Sequence, residues 1–239
     1  MMEFGHPPRH FAQCASTNDL ARLWIADAID PAPHGAIVTA DFQTAGRGQR
    51  GKSWSAAFGQ SALMSYILRP QNRLSQAGEL AFVAAIAVID ALSTLGLEGH
   101  IKWPNDILLN NHKVAGILVE TVQSNPWAAI VGIGVNVNQE RFWESEQFAF
   151  PPTSLRLETG RSQSVEAFIG SVAHALGTWD AVYRAQGFPP ILAACREHLA
   201  VGMTLSRGGQ SAVFRGLNGD GGALVELPGG TFQEWKTVE

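Results

Sequence analysis

Apolar side chains recur at the helical period in two long segments of the chain. Between Leu80 and Leu95 they trace one stripe at the i, i+3, i+4, i+7 spacing, and Gly96 suits a C-terminal cap. A second amphipathic stripe runs from about Val165 to Tyr183. Both segments are long enough to be predicted as helices.

Two shorter helices are predicted from local signals. Ser16 and Thr17 are good N-cap residues, and apolar side chains follow them at helical spacing. Those side chains are Leu20, Leu23, Trp24 and Ala28. Gly187–Pro190 breaks the chain after the second long helix, and a short helix is expected from there to Leu199.

Strands are predicted where apolar and β-branched residues form short runs. In the first four-fifths of the chain these runs are 35–42, Ala62–Leu68, Val114–Thr121 and Ala128–Val137. Asn110–His112 is typical of a hairpin turn. Pro104 excludes Lys102–Asp106 from the interior of an ordinary central strand.

The sequence pattern changes after Val201. Glycine pairs there separate short strand-like runs, which are Met203–Ser206, Ala212–Leu217, Ala223–Leu227 and Phe232–Thr237. Short strands separated at regular intervals by glycine turns are typical of a small β-barrel or sandwich. We expect a domain boundary near residues 188–200.

Composition indicates a globular protein. The chain has 239 residues, 46% of them hydrophobic and 16% charged, with a formal net charge of −4. This balance argues against disorder and against a global attraction to nucleic acid or anionic membranes. Cys14 and Cys195 show no metal or redox spacing. Because no signal peptide or membrane span is apparent, we expect a cytoplasmic protein without nucleic-acid or membrane partners.

The segment Gln43–Trp54 is the first candidate for chemistry, because it combines three glycines with three cations. Its glycines allow close backbone approach to a ligand, its cations suit an anion, and Trp54 offers a ring face to a base. The G-x-G-x-x-G spacing fits a dinucleotide turn poorly, since no apolar helix follows and no acidic residue lies about 20 residues on. A kinase glycine loop is excluded by the missing partner motifs. The loop alone is also compatible with a solvated basic turn.

Three later segments carry further candidates. In Lys102–Ile107, Asp106 suits Mg²⁺ and Asn105 suits a phosphate or a water, although Asn-Asp also caps ordinary turns. Lys113–Glu120 opens an apolar strand with a lysine, a point charge suited to a carboxylate or phosphate. Gly132–Asn138 has alternate glycines, which indicate close approach of a ligand or a bulge.

Together and in this order, these segments resemble the catalytic domain of the biotin protein ligase family. The resemblance starts at Ser16–Asn18 and extends to the C-terminus. Its most specific block is Lys102–Ile107 with Lys113–Glu120. Thr153–Leu155 resembles the segment after the loop that covers the adenylate, and Gly216–Glu226 resembles the small C-terminal domain.

The resemblance implies an α+β fold of the class II synthetase type, with a mixed, mainly antiparallel sheet packed with helices. It implies a catalytic domain over 1–190 and an SH3-like β-barrel over 191–239. Activity would consist of activating biotin with ATP and Mg²⁺ to biotinyl-5′-AMP and transferring biotin to a lysine of a carboxylase's biotin carboxyl carrier domain. Because only fifteen residues precede Ser16, we expect the type without a DNA-binding domain. The family includes monomers and homodimers, so the resemblance leaves the oligomeric state open, with a slight preference for a homodimer.

Residue roles follow from the resemblance position by position. The implied biotin-binding residues are Ser16, Thr17, Asn18, Gln43, Gly46, Arg47, Gly48, Lys113 and Gly116. The implied ATP- and adenylate-binding residues are Arg50, Trp54, Asn105, Asp106, Lys113 and Asn136. Lys113, Arg47 and Asp106 are expected to be catalytic, with Asp106 as the Mg²⁺ ligand. The adenylate is expected to be covered by residues 139–152, with the aromatic side chains Phe142, Trp143, Phe148 and Phe150.

Two departures from the family pattern stand out. Gln49 occupies a position where many members carry an arginine associated with retaining the adenylate, so Arg50 or Lys52 compensates or retention is looser. Near the C-terminus, Gln233–Glu234 stands in place of the usual Gly-Glu pair.

Three alternative functions compete with this interpretation. A lipoate or other acyl-acid protein ligase on the same fold is disfavoured by the glycine and arginine loop. A non-catalytic sensor of biotin or its adenylate is disfavoured by the presence of Lys113 and Asp106. An NAD-dependent oxidoreductase is disfavoured because the loop fits a dinucleotide turn poorly.

Overall fold

A seven-stranded sheet forms the centre of the molecule in a computed structural model that describes residues 4–5, 7–69, 77–142 and 150–236. The strands lie in the order β1-β2-β3-β7-β6-β5-β4, and every neighbouring pair except the parallel pair β1-β2 is antiparallel. Their bounds are β1 Arg9–Phe11, β2 Ala36–Ala40, β3 Ser61–Leu68, β4 His100–Lys102, β5 Asp106–Leu109, β6 His112–Val122 and β7 Ala128–Asn136. The expected mixed, mainly antiparallel sheet is confirmed.

Five helices accompany the sheet in the described part of the chain. Their bounds are α1 Thr17–Ile25, α2 Ala77–Ser93, α3 Leu155–Thr159, α4 Val165–Gln186 and α5 Phe188–Arg196. Helices α2, α4 and α5 pack together on one face of the sheet, and α1 covers part of the opposite face. The opposite face is therefore only partly covered, which leaves room for a cavity beside α1.

Helix α2 is buried on nearly all sides rather than on one stripe. Phe82, Ile86 and Ile89 lie off the predicted stripe and are almost completely buried. The reason is that α4, α5 and the C-terminal residues all pack around the helix, with Phe82 against Phe188 and close to Gly221. The helix was predicted correctly, but its burial on nearly all sides was not.

A second, four-stranded antiparallel sheet follows the helices. Its strands are β8 Thr204–Arg207, β9 Gln210–Leu217, β10 Ala223–Glu226 and β11 Phe232–Trp235, in the order β11-β10-β9-β8. The small sheet is joined to the main one by hydrogen bonds from Trp103 Nε1 to the Gly221 carbonyl (3.0 Å) and from the Arg196 guanidinium to the Leu217 carbonyl (2.9 Å). Its position next to Trp103 brings it to the edge of the cavity.

Several boundaries differ from the sequence-based expectations. At Gly187–Pro190 the break in the chain is short, and α5 begins directly after Gly187. The two prolines lie in the first turn of α5, where a missing N–H costs nothing. Helix α1 ends at Ile25, so Ala28 lies outside it. Strand β1 and helix α3 were not predicted, since both are very short and depend on their neighbours. Among the described residues, none of the helices combines the length and the apolar character that a transmembrane span requires.

Candidate active site

A cavity of about 1090 Å³ lies on the face of the main sheet beside α1. Its walls come from the start of α1, the glycine loop 46–54, the exposed faces of β6 and β7, and strand β8 of the small sheet. The predicted residues that line it are Ser16, Thr17, Asn18, Gln43, Arg47, Gly48, Arg50, Trp54, Asn105, Asp106, Lys113, Gly116 and Asn136. Gly46 does not line the cavity and is buried under the loop.

Two glycines form the floor of the cavity under the ring of Trp54. Gly116 on β6 is paired with Gly134 on β7 in the antiparallel ladder. A Cβ atom at Gly134 would lie 2.6 Å from Trp54 Cε2, and one at Gly116 would lie 3.0 Å from Trp54 Cζ3. Gly134 therefore leaves no room for a side chain under the indole, and Gly116 leaves very little. The Trp54 Nε1 atom is buried and has no hydrogen-bond partner among the described residues.

The glycine loop is a small hairpin. The amide of Gly48 donates to the Lys52 carbonyl (2.7 Å), and the amide of Trp54 donates to the Gly46 carbonyl (2.9 Å). Arg50 at the tip has a left-handed backbone with φ +58°. A side chain at Gly46 would overlap the Trp54 carbonyl, which explains that glycine without any ligand contact. The loop therefore does not resemble the strand-to-helix turn of a dinucleotide site.

Hydroxyl and amide groups form a connected network at the α1 end of the cavity. Gln43 Oε1 accepts hydrogen bonds from the amide (2.7 Å) and hydroxyl (3.0 Å) of Thr17. The Ser65 hydroxyl lies 2.7 Å from Thr17 Oγ1 and 2.5 Å from Asn18 Oδ1, and Asn18 Nδ2 donates to Glu120 Oε2 (2.9 Å). The hydroxyl and amide groups of this network suit a ligand that both donates and accepts hydrogen bonds.

Ser65 and Glu120 were not predicted as site residues. Ser65 is completely buried in β3. A serine in the apolar run Ala62–Leu68 was the available signal, because a buried hydroxyl needs a partner. Glu120 belongs to a segment that was recognised, but its partners Asn18 and Arg47 are distant in sequence.

Asp106 lies between two lysines at the other end of the cavity. Lys113 Nζ is 2.6 Å from Asp106 Oδ1, and Lys102 Nζ is 3.1 Å from Asp106 Oδ2. Burial raises the pKa of Asp106, but the ammonium groups of Lys113 and Lys102 outweigh it and hold that pKa below its usual range. The triad carries one net positive charge, which favours anionic ligands.

The arrangement around Asp106 does not fit a bound Mg²⁺. Both carboxylate oxygens already lie against ammonium groups, which would repel a divalent cation. No cluster of three or more His, Cys, Asp or Glu side chains suited to a metal occurs among the described residues. The described contacts of Asp106 are those of a counter-ion to two lysines rather than those of the expected metal ligand.

The two asparagines expected to bind the nucleotide use their amide groups within the protein. Asn105 Nδ2 donates to the Ile117 carbonyl (2.8 Å), and Asn136 Nδ2 donates to the Thr153 carbonyl (3.0 Å). Asn105 thereby fixes the turn between β4 and β5 against β6. Asn136 fixes the end of β7 against the segment that follows residue 150. Both hold the cavity wall in shape.

The rim of the cavity was only partly predicted. Phe142 and Phe150 of the expected covering loop line it, whereas Trp143 and Phe148 lie outside the described residues. Gln139 at the start of that loop accepts from the Ala57 amide (3.0 Å), and its Nε2 is buried without a partner among the described residues. The small sheet contributes Met203–Arg207 and Trp235, none of which was expected.

Comparison with known proteins gives concordant results. The model of the biotin/lipoate A/B protein ligase family matches residues 11–138. The biotin–[acetyl-CoA-carboxylase] ligase of Paracoccus denitrificans is 37% identical over 223 residues, which cover 86% of this chain and 91% of the relative. The enzyme of the same name from Mycobacterium tuberculosis is 38% identical over 135 residues, which cover 54% of this chain and 48% of the relative.

A solved structure matches over nearly the whole chain. The biotin protein ligase from Aquifex aeolicus in complex with biotin and ATP has a TM-score of 0.81 and 25% sequence identity. The match covers 96% of this chain and 95% of that one. The likeness therefore extends beyond the main sheet to the C-terminal strands.

Proposed function

The chain belongs to the biotin/lipoate A/B protein ligase family, and on that premise we propose that it is a biotin protein ligase. It activates biotin with ATP to biotinyl-5′-AMP and pyrophosphate, and then transfers the biotinyl group to a lysine of a carboxylase carrier domain. The observation that carries this choice within the family is the polar network at the α1 end of the cavity.

That network suits biotin better than lipoate. Biotin has a ureido ring with N–H donors and a carbonyl acceptor, whereas the dithiolane ring of lipoate has no comparable groups. Thr17, Asn18 and Gln43 offer amide and hydroxyl groups there, and Ser16 is buried with its side chain not used as a helix cap. A dithiolane would leave these polar groups unpaired, and sites built for hydrogen bonding reject such analogues strongly.

Lys113 and Lys102 provide for the first chemical step. A carboxylate oxygen of biotin must attack the α-phosphorus of ATP while the bond to the pyrophosphate oxygen breaks. Both reactants are anionic, so their approach requires nearby positive charge. We assign that charge to Lys113 with Lys102, which Asp106 holds in place at 2.6 and 3.1 Å. Arg50 and Lys52 at the loop tip line the same cavity and suit the phosphate tail.

The floor under Trp54 provides for the ring systems. The indole lies on Gly116 and Gly134 and presents an aromatic face to the cavity, with Lys113 Nζ 5.6 Å from the ring centroid. We assign the exposed part of the Trp54 ring to the bound adenylate.

The intermediate is an acyl phosphate anhydride that water would hydrolyse. Phe142 and Phe150 lie at the rim, and we propose that residues 139–152 cover the bound adenylate. An amine of the acceptor lysine then attacks the acyl carbon, and AMP leaves. The acceptor belongs to a biotin carboxyl carrier domain, by analogy with the carboxylase named in the relatives.

Four broader expectations remain part of the proposal. The division into a catalytic domain over 1–190 and a C-terminal domain over 191–239 is kept, with the small sheet as an SH3-like barrel. ATP is used with Mg²⁺, which Asp106 does not hold. The protein acts in the cytoplasm, and between a monomer and a homodimer the homodimer is slightly favoured.

Pyrophosphate release tests the proposed activity directly. With ATP, Mg²⁺ and biotin the protein should release pyrophosphate, and lipoate in place of biotin should give none above background. Lys113→Ala should abolish the release, because the charge opposite the reacting anions is lost. Equal release with lipoate would assign the protein to the lipoate branch of the family. Binding of biotin without release would identify a sensor.

A further inference from the structure

Arg47 is the only side chain between Gly46 and Ala56 that is hydrogen-bonded or ion-paired to the rest of the described protein. Its guanidinium forms a bidentate pair with Asp19, at 2.9 Å to Oδ2 and 2.7 Å to Oδ1. It also lies 3.5 Å from both oxygens of Glu120. The other attachment of the loop is the packing of Trp54 on the glycine floor.

We propose that Asp19, supported by Glu120, is a positioning residue that anchors the glycine loop over the cavity through Arg47. In this arrangement Arg47 contributes to binding by holding its own loop in place. It does not act on the reacting atoms. This positioning role takes the place of the catalytic role that was expected from the sequence. The proposal rests on the proposed function only in taking biotin as the ligand that the loop helps to bind.

The carboxylates are placed to act as fixed points. Asp19 lies in the first turn of α1, where the helix dipole favours an anion. Glu120 on β6 is held by Asn18 (2.9 Å) and by Arg22 (3.5 Å) in addition to Arg47. A bidentate pair requires the planar guanidinium, so a lysine would not replace Arg47 equally well.

The charges of the cluster argue against a direct role of Arg47 in neutralising substrate charge. Arg22 and Arg47 are balanced by Asp19 and Glu120, so the cluster is formally neutral. The hydrogen bond from Arg47 lowers the pKa of Asp19, so the pair is charged at neutral pH and stays charged into the acidic range. Positive charge for the reaction is available instead at Lys102 and Lys113, which outnumber their single carboxylate partner.

The size of the effect follows from the exposure of the pair. The side chains of Arg47 and Asp19 are 38% and 43% exposed. Exposed ion pairs contribute up to about 1 kcal/mol, which corresponds to roughly fivefold in an equilibrium constant. Loss of the anchor should therefore raise the KM for biotin about fivefold and leave kcat within about twofold.

A double-mutant cycle with Asp19→Asn and Arg47→Gln tests the anchor. Each single variant should raise the KM for biotin about fivefold, and the double variant should be no worse than either. Amide hydrogen exchange of peptides spanning 46–53 in the ligand-free protein should also be about fivefold faster in each variant. The matched control is Asp30→Asn, which removes an exposed pair with Arg9 at 2.7 Å that makes no contact with Arg47 and should change neither quantity.

Two outcomes would overturn the anchor. One is a large fall in kcat in Arg47→Gln with no change in Asp19→Asn, which would place Arg47 at the reacting groups. The other is unchanged loop exchange in both variants. If the wild type shows no biotin-dependent activity while exchange responds as predicted, the proposed function fails and the anchor stands.

Discussion

At the scale of single residues, the cavity floor depends on the absence of a side chain at Gly134. The indole of Trp54 occupies the space that a Cβ would need, with Cε2 2.6 Å from its position. A substitution there must displace an aromatic ring that lies against two strands.

Gly134→Ala should therefore lower the free energy of unfolding by roughly 1–3 kcal/mol, because the new methyl group overpacks the floor. It should also weaken ligand binding, since Trp54 is moved. Gly170→Ala is a matched control, because that glycine lies in α4 with open space around it, and alanine is favoured in helices. Urea unfolding of both variants measures the difference. Equal stability of the two variants would contradict the described packing of Trp54.

Asp106 gives a prediction for the pH dependence of stability. Its pKa is lower in the folded protein than the usual value of 3.8, so its ion pairs contribute fully above pH 3.8 and are lost as the pH falls towards the folded value. Asp106→Asn should cost about 3 kcal/mol at neutral pH, because two neighbouring ammonium groups lose their counter-ion. The difference from the wild type should shrink below about pH 4. A difference that stays constant between pH 3 and pH 7 in urea titrations would argue against the triad.

Gln49 bears on how firmly the intermediate is held. It lines the cavity at the start of the loop tip, where the resemblance expects an arginine in many relatives. The wild type should therefore release more biotinyl-adenylate than Gln49→Arg, since a neutral amide attracts the phosphate less than a guanidinium does. Labelling of an unrelated bystander protein measures the release. Equal bystander labelling by the two proteins would show that other groups retain the adenylate.

At the scale of elements, α5 is part of the main hydrophobic core although it follows the predicted break. Cys195 on this helix is buried, and burial raises its pKa to about 12. A thiol reagent at pH 8 should therefore modify only Cys14 in the native protein, and both thiols in urea. Native modification of Cys195 at a similar rate would mean that α5 is not packed against α2 as described.

The elements also show what the sequence could and could not predict. The helices α2 and α4 were predicted because their apolar periodicity is long. Strand β1 was missed because three residues carry no periodic signal, and it forms only by pairing with β2. In the site, the glycine loop and the lysines Lys102 and Lys113 were predicted because each belongs to a short motif that is continuous in sequence. Asp19, Ser65 and Glu120 were missed because their importance arises from contacts between residues that are distant in sequence.

At the scale of the whole molecule, one cavity collects groups from both sheets and from α1. Its α1 end offers hydroxyl and amide groups beside a neutral cluster of ion pairs, its opposite end is cationic, and its floor is glycine and tryptophan. The order of these environments along the cavity matches that of a ureido ring, an aliphatic acid and a nucleotide phosphate placed side by side. Holding two anionic reactants in this order is the main contribution the protein makes to the adenylation step.

Intact mass spectrometry of a biotin carboxyl carrier domain tests this account most directly. The carrier is incubated with the protein, ATP, Mg²⁺ and either biotin or lipoate, with Lys113→Ala as the inactive comparison. The carrier should gain the mass of one biotinyl group, omission of ATP should prevent this gain, and lipoate should give none. An unmodified carrier in the complete biotin reaction, or a lipoyl adduct of equal yield, would contradict it.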